Sequence, residues 1–155
     1  MSVDFTVNGR AVRASADPTT SLLDVLRNEL DLKGARYGCG QEQCGACMVL
    51  VDGEAVFACG RELGTLAGRR IETVEGLSRH PLRQAFLDEQ AGQCGYCLSG
   101  ILMSAKALLD RTPTPTRAEI VAALDKHLCR CGTQFRIIRA VGRAAALCAA
   151  EGAVR

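Results

Sequence analysis

The residue pattern predicts an α+β chain: a small sheet with a helix packed across it, then a small helical bundle. Three observations predict it. Apolar residues alternate at period two through the first third, with Asn8-Gly9 and Asp52-Gly53 placed as tight turns. From about residue 77 the apolar spacing becomes that of helices. Eight of the nine cysteines fall into two groups of four, one in each half. The boundary is expected near residue 76, giving domains over 1–76 and 77–155 in a chain of 155 residues.

Taken in order, Val3, Phe5 and Val7 form one strand, and Ala11-Val12-Arg13-Ala14 returns beside it after Asn8-Gly9. Ser21, with Asp24 three residues on, reads as the cap of a helix carrying Leu22, Leu23, Val25, Leu26 and Leu30. A glycine-rich loop runs from Gly34 to Ala46. Met48 to Val51 and Glu54 to Phe57 form a second hairpin, and Ile71 to Val74 a last strand. Pro81 suits a first helical position, with Leu82, Ala85 and Phe86 on one face as far as Glu89. A second stripe runs through Leu98, Ile101, Leu102, Ala105, Leu108 and Leu109. Thr116 and Glu119 form a capping box before Ile120, Val121 and Leu124. The final helix sets Ile137, Val141, Ala144 and Cys148 against Arg136, Arg139 and Arg143. Four short helices suit a bundle.

Composition excludes several classes. With 48% apolar residues, 19 basic and 17 acidic side chains, the chain has what it needs to fold and lacks the concentrated basic face of a nucleic-acid binder. No run of about 18 apolar residues offers a membrane span. The opening segment has no charged region followed by an apolar core, so a cytoplasmic location is expected. An odd cysteine count without an export signal points to metal rather than disulfides. Neither histidine, His80 nor His127, sits inside a cysteine motif, and both are expected to be surface or capping residues.

Cys39, Cys44, Cys47 and Cys59 are spaced C-x4-C-x2-C and then 11 residues to the fourth. This is the plant-type spacing for a [2Fe–2S] cluster. Gly38, Gly40 and Gly45 are placed to let the backbone turn through positive φ and aim amide N–H groups at the sulfurs. The second group is Cys94 and Cys97 followed, 31 residues later, by Cys129 and Cys131. Alone, that pattern fits tetrahedral zinc as well as a second cluster. Beside a plant-type site it makes a path for single electrons.

Cys39-Gly40-Gln41-Glu42-Gln43-Cys44-Gly45-Ala46-Cys47, Gln93-Cys94-Gly95-Tyr96-Cys97 and Leu128-Cys129-Arg130-Cys131-Gly132 together resemble the small iron–sulfur subunit of molybdenum hydroxylases, the xanthine dehydrogenase/aldehyde oxidoreductase family. The resemblance covers nearly the whole chain. It implies a β-grasp ferredoxin domain followed by a four-helix domain, and two [2Fe–2S] clusters ligated by the eight cysteines. It also implies a large partner subunit holding a molybdopterin cofactor next to the C-terminal cluster, contacted from this chain by Gln93 and Cys131. Leu98-Ser99-Gly100 stands where many relatives have Thr-Pro-Gly; this and the residues after Cys131 look more like the two-subunit branch typified by isoquinoline 1-oxidoreductase and nicotinate dehydrogenase.

No acid–base dyad, activated nucleophile, phosphate loop or dinucleotide fingerprint is visible, so this chain is expected to carry electrons and the partner to bind substrate. An N-heteroaromatic substrate is the first expectation and an aldehyde the second. The expected acceptor is a cytochrome c or an FAD-containing subunit. Two other classes stay open: a free-standing ferredoxin, and a colourless zinc-stabilised interaction module. Cys148 reads as a buried thiol, Arg130 as a counter-charge or a structural residue, and the arginine face as solvated or as a docking surface.

Overall fold

The computed structural model describes residues 2–152. Strands β1 (Val3–Val7) and β2 (Arg10–Ala14) pair antiparallel, Val3 opposite Ala14 and Val7 opposite Arg10. Asn8 and Gly9 both take positive φ, the conformation a type I′ turn requires. Asp52 and Gly53 do the same between β3 (Met48–Val51) and β4 (Glu54–Phe57). The last strand in sequence, β5 (Arg70–Glu72), enters the middle of the sheet, parallel to β1 and antiparallel to β3, giving the order β2-β1-β5-β3-β4.

The expected strand from Ile71 to Val74 is shorter and shifted. Thr73 leaves the ladder because its N–H donates to the Asn8 side-chain carbonyl, 2.9 Å away, and Asn8 Nδ2 returns a bond to Thr73 Oγ1. A 3-10 turn, Val74–Leu77, follows. The first helix also departs from plain α geometry. Ser21 caps it as expected, accepting from Asp24 N–H, but α1 (Leu22–Asp24) passes at once into a π turn over Val25–Glu29. Leu22, Leu23, Val25 and Leu26 are all buried against one face of the sheet with Phe5, Val49 and Ile71.

Strand β3 is buried on both faces. Val49 joins the core under α1, whereas Met48 and Leu50 pack with Leu77, Met103 and Ala107. Met103 and Ala107 lie on α3 (Leu98–Arg111), so the sheet is covered on its second face by a helix from the C-terminal half. Each fully buried side chain of this size contributes about 1.5–3 kcal/mol, enough to hold α3 in a fixed place over the loop that precedes β3. Lys106 adds an ion pair to Glu72 at 3.2 Å across the same seam.

The remaining helices are α2 (Pro81–Asp88), α4 (Arg117–Leu124) and α5 (Gln134–Ala150). Their apolar faces form a second core with α3, built on Leu82, Phe86, Ile101, Leu108, Ile120, Ile137 and Val141. Pro81 is the first residue of α2, with His80 as its cap, and the Thr116/Glu119 capping box is complete. Arg139 and Arg143 pair with Glu89 and Asp88 at the α2 end while staying exposed, as a solvated helix face would. No helix among the described residues is long and apolar enough to cross a membrane.

Candidate metal centres

The first group of cysteines is assembled by the loop entering β3. Cys39 Sγ accepts from the backbone N–H groups of Gln41, Gln43 and Cys44 at 3.2–3.3 Å, and Cys44 Sγ accepts from the N–H of Cys39. Such a ring of inward amides requires left-handed residues, and Gly40, Glu42 and Gly45 supply them. Gly38 serves differently from expectation. Its φ is not positive; instead a Cβ there would stand 2.6 Å from Cys44 Sγ, so glycine is needed for close approach. Cys47 is buried just before β3, and Cys59 lies two residues past the end of β4, in direct side-chain contact with it. Amide hydrogen bonds from Gln41 and Gln43 bring the Cys39 thiol down to about 7, whereas burial pushes Cys47 up to about 12.

Helix ends assemble the second group. Cys97 is the cap residue of α3, Cys94 is exposed in the loop before it, and Cys129 and Cys131 occupy the turn leading into α5. Gly95 and Gly132 take positive φ in the two loops. Side chains meet in twos, Cys94 with Cys131 and Cys97 with Cys129. Burial pushes Cys97 up to about 12. Burial also acts against ionisation of Cys129, but the Thr133 hydroxyl at 3.3 Å and the Thr133 amide outweigh it and bring the thiol to about 7. Gln93 is exposed beside Cys94, and Cys131 is half-buried.

Both groups therefore consist of two thiol pairs with amide or hydroxyl donors aimed at the sulfurs. That suits a [2Fe–2S] cluster, in which each iron takes two thiolates.

The two groups abut. A cavity of about 160 Å³ is lined by Cys44 from one and by Cys94, Cys97 and Cys129 from the other, together with Tyr96, Leu128 and Arg130. Leu128 N–H donates to the Cys44 carbonyl at 3.0 Å. Gly100, in the first turn of α3, meets the Gly45 carbonyl so closely that a Cβ would fall 1.9 Å from its oxygen.

Comparisons with known proteins give the family. Residues 5–77 match the 2Fe-2S iron-sulfur cluster binding domain and residues 73–142 the [2Fe-2S] binding domain. The chain is 53% identical over 148 residues to a nicotinate dehydrogenase polypeptide of Pseudomonas putida, covering 93% of this chain and 94% of that one. It is 46% identical to the alpha chain of isoquinoline 1-oxidoreductase of Brevundimonas diminuta, covering 92% and 97%. The chain belongs to the small iron–sulfur subunits of the molybdenum hydroxylases. As an iron–sulfur subunit of this oxidoreductase family it carries two [2Fe–2S]-binding domains. Its fold superimposes on the aldehyde oxidoreductase of Desulfovibrio gigas with a TM-score of 0.93 at 37% identity, covering 97% of this chain and 17% of that much longer one.

Three features of this iron–sulfur subunit were not visible in the spacing of its motifs. His127 is not a surface residue: it is buried, with Nε2 at 2.7 Å from Ser104 Oγ and its ring over Gly45, and burial holds it neutral, lowered to about 4. Arg36 reaches from the first cysteine loop to the Gly95 carbonyl of the second. Tyr96 returns its hydroxyl to the Tyr37 carbonyl. His80 caps α2 through Nδ1, as a capping reading requires. Cys148 is half-buried on a separate crevice of about 870 Å³, beside His80, Lys106 and Asp110 and apart from both groups of four.

Proposed function

We propose that Cys39, Cys44, Cys47 and Cys59 ligate one [2Fe–2S] cluster and Cys94, Cys97, Cys129 and Cys131 the other, and that the chain passes electrons singly between them. Bound there, each cluster supplies one-electron uptake and release at a potential tuned by sulfur hydrogen bonds and burial. The observation that carries this reading is the junction of the two quartets, where the Leu128 amide bonds to the Cys44 carbonyl. The test is low-temperature EPR of the dithionite-reduced protein with iron quantified. Two distinct signals and about four irons per chain are expected; one signal with about two irons would return the C-terminal cysteines to a zinc reading.

The finer architecture follows the same line: a β-grasp plant-type ferredoxin domain over 1–76 and a four-helix bundle domain over 77–155. The main apolar core within each half, joined by a smaller one across the seam, and the two family matches support it. Limited proteolysis near residue 76 that releases two cluster-bearing pieces tests it.

Electrons enter at the Cys94 side. Cys94 and Gln93 are exposed there, and Gln93 and Cys131 are the residues we assign to contact with a molybdopterin held by a large partner subunit. That the Desulfovibrio relative contains this fold in a small fraction of a longer chain supports a large companion. Substrate is an N-heteroaromatic compound of the nicotinate or isoquinoline kind, by analogy with the named relatives. Electrons leave from the Cys39 side to a cytochrome c or an FAD-containing subunit. Co-purification with the partner, its flavin content and turnover of nicotinate against an aldehyde decide these points. The cytoplasm, a reducing compartment, suits a chain whose chemistry depends on thiolates, and recovery from the periplasm would overturn that placement.

A further inference from the structure

Arg36 stands three residues before Cys39, and its backbone N–H donates to the carbonyl of Ala46, between Cys44 and Cys47, at 3.1 Å. Its side chain leaves this loop altogether. Nη1 donates to the carbonyl of Gly95, between Cys94 and Cys97, and the guanidinium lies 5.3 Å from the centre of the Tyr96 ring. Tyr96 in turn bonds the Tyr37 carbonyl through its hydroxyl. One cation is thus fastened to both cysteine loops. It is partly buried, and among the described residues it forms no ion pair with a carboxylate.

We propose that Arg36 is a positioning residue shared by the two centres: its guanidinium locks the Cys94–Cys97 loop onto the first loop, and its charge raises the reduction potential of both clusters. This rests on the ligand assignment above. A [2Fe–2S] cluster with four thiolates is a dianion when oxidised and a trianion when it has gained one electron, with no proton taken up. Two such anions in neighbouring loops oppose each other's reduction, and a fixed cation bonded to both loops offsets that repulsion where water is partly excluded. Arginine suits the place because its planar group stacks on Tyr96 while still donating in plane to Gly95. Arg130 lines the cavity at the junction, but it belongs to the second loop only, whereas Arg36 is bonded to both.

The experiment is EPR-monitored redox titration of the chain in its native complex, comparing wild type with Arg36→Gln and Arg36→Lys, iron quantified in each. Wild type must show two signals at full iron; its failure to do so counts against the two-cluster reading and not against Arg36. In Arg36→Gln both potentials are expected to fall, each by up to a tenfold change in the one-electron equilibrium constant, 59 mV. Arg36→Lys, which keeps the charge, should stay nearer to wild type. Full iron with either potential unmoved in Arg36→Gln overturns the proposal. Should Arg36→Gln lose the second cluster, removal of that anionic neighbour by itself raises the first potential. A fall then still identifies the missing guanidinium, and a rise or no change makes Arg36 a structural clamp only.

Discussion

The backbone N–H of Leu128 donates to the carbonyl of Cys44 over 3.0 Å, so a single residue step joins Cys129 to a hydrogen bond from the other quartet. That contact is kept tight by Gly100, whose missing side chain admits the Gly45 carbonyl. Gly100→Ala must part the two loops, because a Cβ 1.9 Å from a backbone oxygen has nowhere to go. Overpacking of this kind costs about 1–3 kcal/mol. The expected result is a lower urea midpoint and slower electron passage between the centres, with both reduced spectra retained. Freeze-quenched EPR gives the rate; a wild-type rate and midpoint would contradict the close junction.

Ligand removal should be separable by half. Cys47→Ser is expected to take iron from about four to about two per chain and to erase one EPR signal, leaving the other. Cys97→Ser should erase the second signal and leave the first. Cys148→Ala, on its separate crevice, should leave iron and both signals unchanged. Iron analysis beside EPR checks all three, and any substitution that removed both signals would point to global unfolding instead of site-specific loss.

Gln93 is exposed next to Cys94 and is not needed by either apolar core. Gln93→Ala is therefore expected to leave the stability of the isolated chain within about 0.5 kcal/mol and to keep both cluster spectra. If Gln93 makes the proposed contact with a partner's molybdopterin, the change should also slow electron delivery from substrate. Comparing dithionite reduction with substrate reduction of the same complex separates these: the first should match wild type and the second should be slower.

Local chemistry was the legible part of this protein. Asn8-Gly9, Pro81 and the Thr116/Glu119 box specify their turns and caps from neighbouring residues alone, and the C-x4-C-x2-C spacing points to a plant-type cluster, whereas the spacing of Cys94, Cys97, Cys129 and Cys131 by itself fits zinc as well. What could not be read depended on distant partners. The strand at Ile71 stops because the side chain of Asn8, far off in sequence, takes the Thr73 amide. The π turn after Asp24 has the apolar pattern of an ordinary helix, and only its fit beneath the sheet distinguishes it. His127 is buried because Gly45 leaves room for its ring, and the pairing of the exposed Arg139 and Arg143 with Glu89 and Asp88 depends on where α2 ends. Arg36 carried no motif at all; its meaning comes from where Gly95 lies.

His80 gives a pH test of the helical half. Its Nδ1 accepts from Leu82 N–H at 3.1 Å and so caps α2 only while that nitrogen is unprotonated. Burial first, and then Lys106, lower its pKa below the ordinary 6.5, against the opposing pull of Asp110, Glu151 and Glu72. The unfolded chain therefore takes up a proton before the folded one as pH falls. Stability from this group is complete above 6.5 and is lost as pH drops through the folded value. His127, lowered to about 4, adds a slope of the same sign further down. His80→Asn keeps an oxygen acceptor for the Leu82 amide without a titrating group, whereas His80→Ala loses the cap at about 1 kcal/mol. Urea midpoints at about pH 7.5 and about pH 5.5, on either side of the ordinary histidine value, should show a smaller acid loss in the asparagine variant than in wild type. The alanine variant should be weaker already at the higher pH. An asparagine variant with the full wild-type acid loss would assign that loss to groups other than the α2 cap.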